Sequence, residues 1–240
     1  MTESLAYRDA YARSIPARVL GTDGSAVHLD RTVFYPGGGG QPSDTGWLRA
    51  DDGAAWRVIG TRKAGEEVWH QLEEGSEPPA IGSELRVEVD WERRHALMRT
   101  HSALHVLCGV IFRDWGASVT GGNMEPLAGR MDFEFETMHA DLVAEIERRV
   151  NVEVVADREI RVNVLPRDEA FAIPDLIRTK INLLPAGIEE VRTIEIVGLD
   201  LQADGGTHVA HTGEIGRIRV TGYESKGRIN KRIRIAVEDR

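Results

Sequence analysis

Between residues 17 and 89 apolar and polar positions alternate in short runs: ARVLGTDGSAVHLDRTVFY, GWLRADDGAAWRVIGTRKAGEEVWHQL and IGSELRVEVDW. Period-two runs broken by Gly, Asp and Ser every ten residues or so predict antiparallel strands in a small sheet or barrel. Trp47, Trp56, Trp69 and Trp91 are expected to supply the bulk of its core. Four consecutive glycines at 37–40 interrupt the alternation. Each gives up much backbone entropy on ordering and packs nothing, so a loop is forced there. Thr32 and Gln41 flank it. Two readings stand for this stretch: a flexible hairpin tip, or a loop whose bare backbone approaches a ligand closely.

At Glu92 the period changes. ERRHALMRTHSALHVLCGVIFRDWG carries Ala96, Leu97, Leu104, Leu107 and Ile111 at helical spacing and predicts a helix over 92–113, with Gly116 as its end. Gly121-Gly122 then reads as an interruption before an alternating strand at 129–135. Further on the pattern predicts a helix over 140–157, a strand at 160–165, a short helical piece at 167–171 and a loop over 183–190. Strands follow at 191–197, 216–224 and 230–237. The fold class is therefore α+β. Residues 1–88 form a small β-barrel-like domain with the glycine-rich loop, and 89–240 an α+β domain with an antiparallel sheet and a helix that carries candidate metal ligands.

The chemistry lies on that helix. His101 and His105 are four apart, so they sit about 40° apart around the axis and about 6 Å apart along it. Two imidazoles on one face can share a metal ion, although an isolated HxxxH is a weak signal. Asp204-Gly-Gly-Thr-His208 offers a carboxylate and a third imidazole across a glycine pair. His211 competes with His208 for that role. Cys108 shares the histidine stripe but lies about 10.5 Å along the axis from His101, too far for one ion, and reads as a core residue. His95, six residues before His101, faces elsewhere and is expected at the surface.

Composition narrows the setting. The 240 residues are 29% charged and 41% hydrophobic, ordinary for a globular protein with a sizeable core. No stretch approaches the roughly 18 apolar residues of a membrane helix, and the N-terminus lacks a signal-like apolar run, so no membrane association and a cytoplasmic location are expected. The single cysteine excludes an internal disulfide and agrees with a reducing compartment. The net charge of −9 argues against broad nucleic-acid binding, but KGRINKRIR at 226–234 holds five basic residues and no acidic one. A solvated strand face and a phosphate-contacting edge are both open for it.

Several of these motifs, in this order, resemble the free-standing AlaX editing proteins, which are similar to the editing domain of alanyl-tRNA synthetase. The resemblance runs through TVFYPGGGGQPSDTG, WERRHALMRTHSALHVL, GRMDFEF, LDLQADGGTHVAHTGEIG and ESKGRINKRI, almost the whole chain. The length looks like the medium-size form. The resemblance implies one zinc ion held by HxxxH and CxxxH motifs, onto which His101, His105 and His208 map. Asp204 stands where the family has cysteine. A thiolate is softer and usually binds zinc more tightly than a carboxylate, so this departure puts zinc occupancy in question. The implied reaction is hydrolysis of serine, and in some members glycine, from mischarged tRNA(Ala). Thr32 and Gln41 would be the catalytic-site residues shaping the amino-acid pocket, and Lys226, Arg228, Lys231 and Arg232 the tRNA contacts. Two alternatives stay open: a metal-dependent hydrolase of another aminoacyl or acyl ester, and a non-catalytic tRNA-binding module that has lost the metal.

Overall fold

The computed structural model describes residues 1–178 and 187–239. The chain divides into two units, Met1–Ala96 and Leu97–Arg240. The first contains β1 (Glu3–Ser4), β2 (Ser14–Asp23), β3 (Ala26–Leu29), β4 (Arg31–Thr32), β5 (Gly46–Arg49), β6 (Ala55–Ala64), β7 (Glu67–Leu72) and β8 (Glu84–Val89). Six of these close into a barrel in the order β2-β3-β7-β6-β5-β8, every neighbouring pair antiparallel. The short β1 and β4 pair in parallel beside it.

The strand period decides what fills the barrel. Along β7, Val68, His70 and Leu72 are buried, whereas Glu67, Trp69 and Gln71 are only half-buried. Along β5, Leu48 points inward and Trp47 does not. Aliphatic side chains such as Val19, Val27, Leu29, Leu48, Val58 and Val87, with Phe34, therefore make the core. The tryptophans differ from expectation. Trp47 and Trp69 fall on the alternate, outer strand positions, where Arg49 and Arg57 lie over Trp47 and Arg62 over Trp69, and Trp91 lies in the helix after the barrel with Arg13 over it. Only Trp56 packs partly against the barrel core.

The 37–40 stretch is a loop. All four glycines have positive φ, from 58° to 127°, which side-chain-bearing residues rarely adopt, and Gly38 bridges to Gln41. The loop's flanks are anchored by Asp44, whose carboxylate accepts the Tyr35 N–H at 2.6 Å and faces the buried Arg94 guanidinium.

The helix predicted over 92–113 is α1 (Trp91–Trp115). It is followed by β9 (Val119–Glu125), β10 (Ala128–Glu134), α2 (Ala140–Val155), β11 (Ile160–Pro166) and α3 (Arg167–Ala172). Then come β12 (Glu190–Ile196), β13 (Asp200–Ala203), β14 (Arg217–Ser225) and β15 (Asn230–Glu238). An antiparallel sheet runs β14-β15-β10-β9 and a smaller one β11-β12-β13. α2 docks on β14 through Asn151, whose amide exchanges hydrogen bonds with both backbone groups of Ile218.

Two differences from the sequence pattern stand out. Gly121 and Gly122 lie inside β9 instead of interrupting, because this edge strand is held by its backbone ladder opposite Asp132 and Met131. β13 is too short for alternation to reveal. Of the loop predicted over 183–190, residues 183–186 lie outside the described residues. No helix among the described residues is long and apolar enough to cross a membrane.

Candidate metal centre

One turn of α1 separates His101 from His105, and their ring centroids lie 5.2 Å apart. The chain leaves β13 at Ala203 and turns through Asp204-Gly-Gly-Thr-His208, which brings the His208 ring 4.3 Å from that of His101 and 4.7 Å from that of His105. The turn is closed by Asp204 itself, whose Oδ2 accepts the Gly206 N–H at 2.7 Å. One donor atom from each of His101, His105, Asp204 and His208 lies within 4.8 Å of the others. His211 is not in this cluster. Its side chain is half exposed and lies against Asp157, while its backbone starts a short 3-10 turn and donates to Glu214 Oε1. Cys108 is buried, as a core residue should be, and burial, with the nearby Asp200 carboxylate, pushes its thiol pKa far up. His95 is half-buried, stacked on Trp91 at 5.4 Å.

Burial sets the charge state of the cluster. It pushes the His101 pKa down to about 4 against the attraction of Asp204. Burial, then His101 beside it, pulls His208 well below its ordinary value. Burial works against ionising Asp204, but the facing His101 and the hydrogen-bonding His208 outweigh it and hold the carboxyl well below the usual range. At neutral pH His101 and His208 are thus neutral imidazoles beside one carboxylate, Asp204 Oδ2 lying 3.0 Å from His208 Nε2. Nitrogen donors with one anionic oxygen, shielded from water, fit a divalent transition ion such as zinc.

Ser102, beside His101, was not a candidate from sequence. Its buried hydroxyl accepts the Val209 N–H at 3.2 Å and lies 3.4 Å from His208 Nδ1, tying the loop to the helix. No motif signals it; only its burial between the two segments that carry the candidate ligands does.

In the barrel, Thr32 is fully buried and its hydroxyl lies 2.8 Å from His70 Nε2. His70 Nδ1 faces the Val27 carbonyl at 3.1 Å, so Nδ1 carries the proton and Nε2 accepts. Burial lowers the His70 pKa to about 4 and keeps the ring neutral. Thr32 therefore donates to His70, accepts the Phe34 N–H at 3.1 Å, and keeps one further lone pair. Gln41 is also buried. The basic segment is divided. Lys231 is buried and donates to the Gly227 and Arg228 carbonyls of its own hairpin. Arg232 makes a two-pronged pair with Asp132, which holds that carboxyl below its ordinary pKa. Lys226 lies 3.7 Å from Glu224, and Arg228 is exposed at the hairpin tip.

Comparison with known proteins first defines the class. Residues 191–234 match the threonyl and alanyl tRNA synthetase second additional domain, and residues 8–93 match the class II (A) tRNA synthetases. The chain is 35% identical to the alanyl-tRNA editing protein AlaX-M of Saccharolobus solfataricus, covering 99% of this chain and 100% of that one. It is 37% identical to AlaX-M of Methanosarcina barkeri, with both chains covered in full. It is also 41% identical to the alanine–tRNA ligase of Pyrobaculum aerophilum, over 93% of this chain but 25% of the ligase. The chain belongs to the AlaX-M family of alanyl-tRNA editing proteins.

Proposed function

We propose that this protein is a trans-editing deacylase that hydrolyses the ester of seryl-tRNA(Ala), with a zinc ion held by His101, His105, Asp204 and His208. The observation that carries the reading is the buried cluster of imidazoles and one carboxylate in a chain whose AlaX-M relatives align from end to end. When bound, zinc supplies a Lewis acid for the ester carbonyl and lowers the pKa of a bound water. The protein's own groups do the rest. Arg192 donates to the Asp204 carbonyl at 2.9 Å and Ser102 steadies the His208 segment, so the ligands are held before substrate arrives. At the hairpin, Arg228 and Lys226 are the side chains suited to the tRNA backbone, since Lys231 and Arg232 are engaged in the fold.

The test is a deacylation panel of seryl-, glycyl- and alanyl-tRNA(Ala), run with metal analysis. Zinc-loaded protein is expected to hydrolyse seryl-tRNA(Ala) faster than alanyl-tRNA(Ala). A rate equal to buffer on all three by metal-loaded protein refutes the reading, and hydrolysis confined to other esters transfers the activity to a different substrate.

Selectivity is assigned to Thr32. Its hydroxyl keeps one lone pair after its bonds to His70 and the Phe34 N–H, and a serine side chain carries a hydroxyl that can pair with such a group whereas alanine does not. Thr32→Val is expected to reduce the serine-to-alanine rate ratio by about tenfold, the worth of roughly one buried hydrogen bond. Thr32→Ser should restore it. Unchanged selectivity in the valine variant moves the discriminating group elsewhere.

A further inference from the structure

We propose that Asp200 is a positioning residue for His105: its carboxylate accepts a hydrogen bond from the Nδ1–H and so presents Nε2 to the metal. The inference rests on the metal-bound reading of the site given above. An imidazole binds a metal through one nitrogen, and the other must then carry a proton that needs an acceptor. His105 Nδ1 is buried and has no hydrogen-bond partner among the described residues. It points toward Asp200 Oδ2, 3.9 Å away. That is about an ångström beyond hydrogen-bond length, a gap that a small tilt of the ring closes.

Asp200 is itself held in place. Its side chain is fully buried at the start of β13. Oδ1 accepts from both Arg178 Nε at 3.2 Å and Nη2 at 3.1 Å, and Oδ2 accepts from the Gln202 amide. Arg178 is fixed in turn, 3.8 Å above the Phe112 ring and donating to the Asp175 carbonyl at 2.9 Å. A carboxylate keeps one lone pair after these bonds, on Oδ2, which faces the ring.

The helix makes room for this approach. Gly109 lies one turn beyond His105, and a Cβ there would stand 2.8 Å from Asp200 Cβ and 3.1 Å from Leu199 Cγ. Any larger residue would push β13 away from the histidine. A carboxylate serving only as the salt-bridge partner of Arg178 would not need the orphaned Nδ1 aimed at it.

Zinc affinity, measured by chelator competition on the full chain, tests the assignment. Asp200→Asn is expected to weaken zinc binding about 10–100-fold, with the circular dichroism of the metal-free protein unchanged. In a His105→Ala background the same substitution should change zinc affinity by less than about twofold, because its route of action is gone. Wild-type affinity in Asp200→Asn, or a loss that persists undiminished without His105, overturns the proposal. Should Asp200→Asn fail to fold, nitrogen-15 spectra of histidine in zinc-loaded wild-type protein decide: a proton on His105 Nδ1 supports the assignment and one on Nε2 overturns it. A wild-type chain that takes up no zinc overturns the metal reading and this assignment together. Zinc uptake with any of the three adverse results above overturns this assignment alone.

Discussion

His101→Ala is expected to lower the rate of seryl-tRNA(Ala) hydrolysis by about a thousandfold and to remove stoichiometric zinc. The three rings form a triangle, the His101 centroid 5.2 Å from that of His105 and 4.3 Å from that of His208 and those two 4.7 Å apart, so the loss of one corner leaves two imidazoles and a carboxylate to hold the ion. Loss of one oxyanion donor in acyl transfer costs roughly 10²–10³ in rate, and loss of a metal removes at least that much stabilisation. The fold should tolerate the change, because the removed group is a neutral imidazole and leaves no unpaired cation behind. The measurement is single-turnover deacylation beside metal content and circular dichroism. A variant that keeps its fold, loses its zinc and still deacylates at the wild-type rate would show that the metal has no part in the chemistry.

The cluster of candidate ligands was legible because its spacing is tied to geometry. Four residues on a helix put His101 and His105 on one face whatever surrounds them, and a glycine pair returning a histidine near a carboxylate is a local signal too. The departure at Asp204 was equally visible, and the structure gives it an additional local role: its carboxylate closes the Gly206 turn, a bond that a cysteine thiol could make only weakly. Asp200, Ser102 and His70 were not legible. Each acts through a partner distant in sequence: Asp200 lies near His105, Ser102 binds the segment of His208, and His70 orients Thr32. No spacing rule connects such pairs.

The fold divides in the same way. Alternation marked the runs at 17–35, 46–72 and 81–91 that hold most of the barrel strands, and the change of period located the long helix to within two residues, because burial of one face imposes a period on the sequence. It failed for the tryptophans, since hydrophobic bulk alone does not say which strand face is inner. Trp47 is adjacent to the inward Leu48 and Trp69 lies between the inward Val68 and His70, so phase outranked size. It failed again at β9, whose ladder to β10 is a backbone property that two glycines do not prevent.

Arg94→Met is expected to destabilise the Met1–Ala96 unit by about 3–5 kcal/mol, the cost of breaking a buried ion pair by removing one partner. Arg94 and Asp44 are 0% and 1% exposed at their side chains. Beyond the carboxylate, the guanidinium donates to the Ala10 carbonyl at 2.9 Å and the Val33 carbonyl at 2.7 Å. Methionine fills much of the volume but leaves Asp44 charged, desolvated and holding only the Tyr35 N–H. The double variant Arg94→Met/Asp44→Asn should recover part of the loss, because a neutral amide can still accept from Tyr35 without the burden of a buried charge. Four of the five tryptophans, Trp47, Trp56, Trp69 and Trp91, lie in this unit, so tryptophan fluorescence in urea follows it closely. A loss below about 1 kcal/mol would place the pair with surface salt bridges in energy, and the glycine loop would then owe its position to the positive-φ glycines and the Gly38–Gln41 bridge instead of to Asp44.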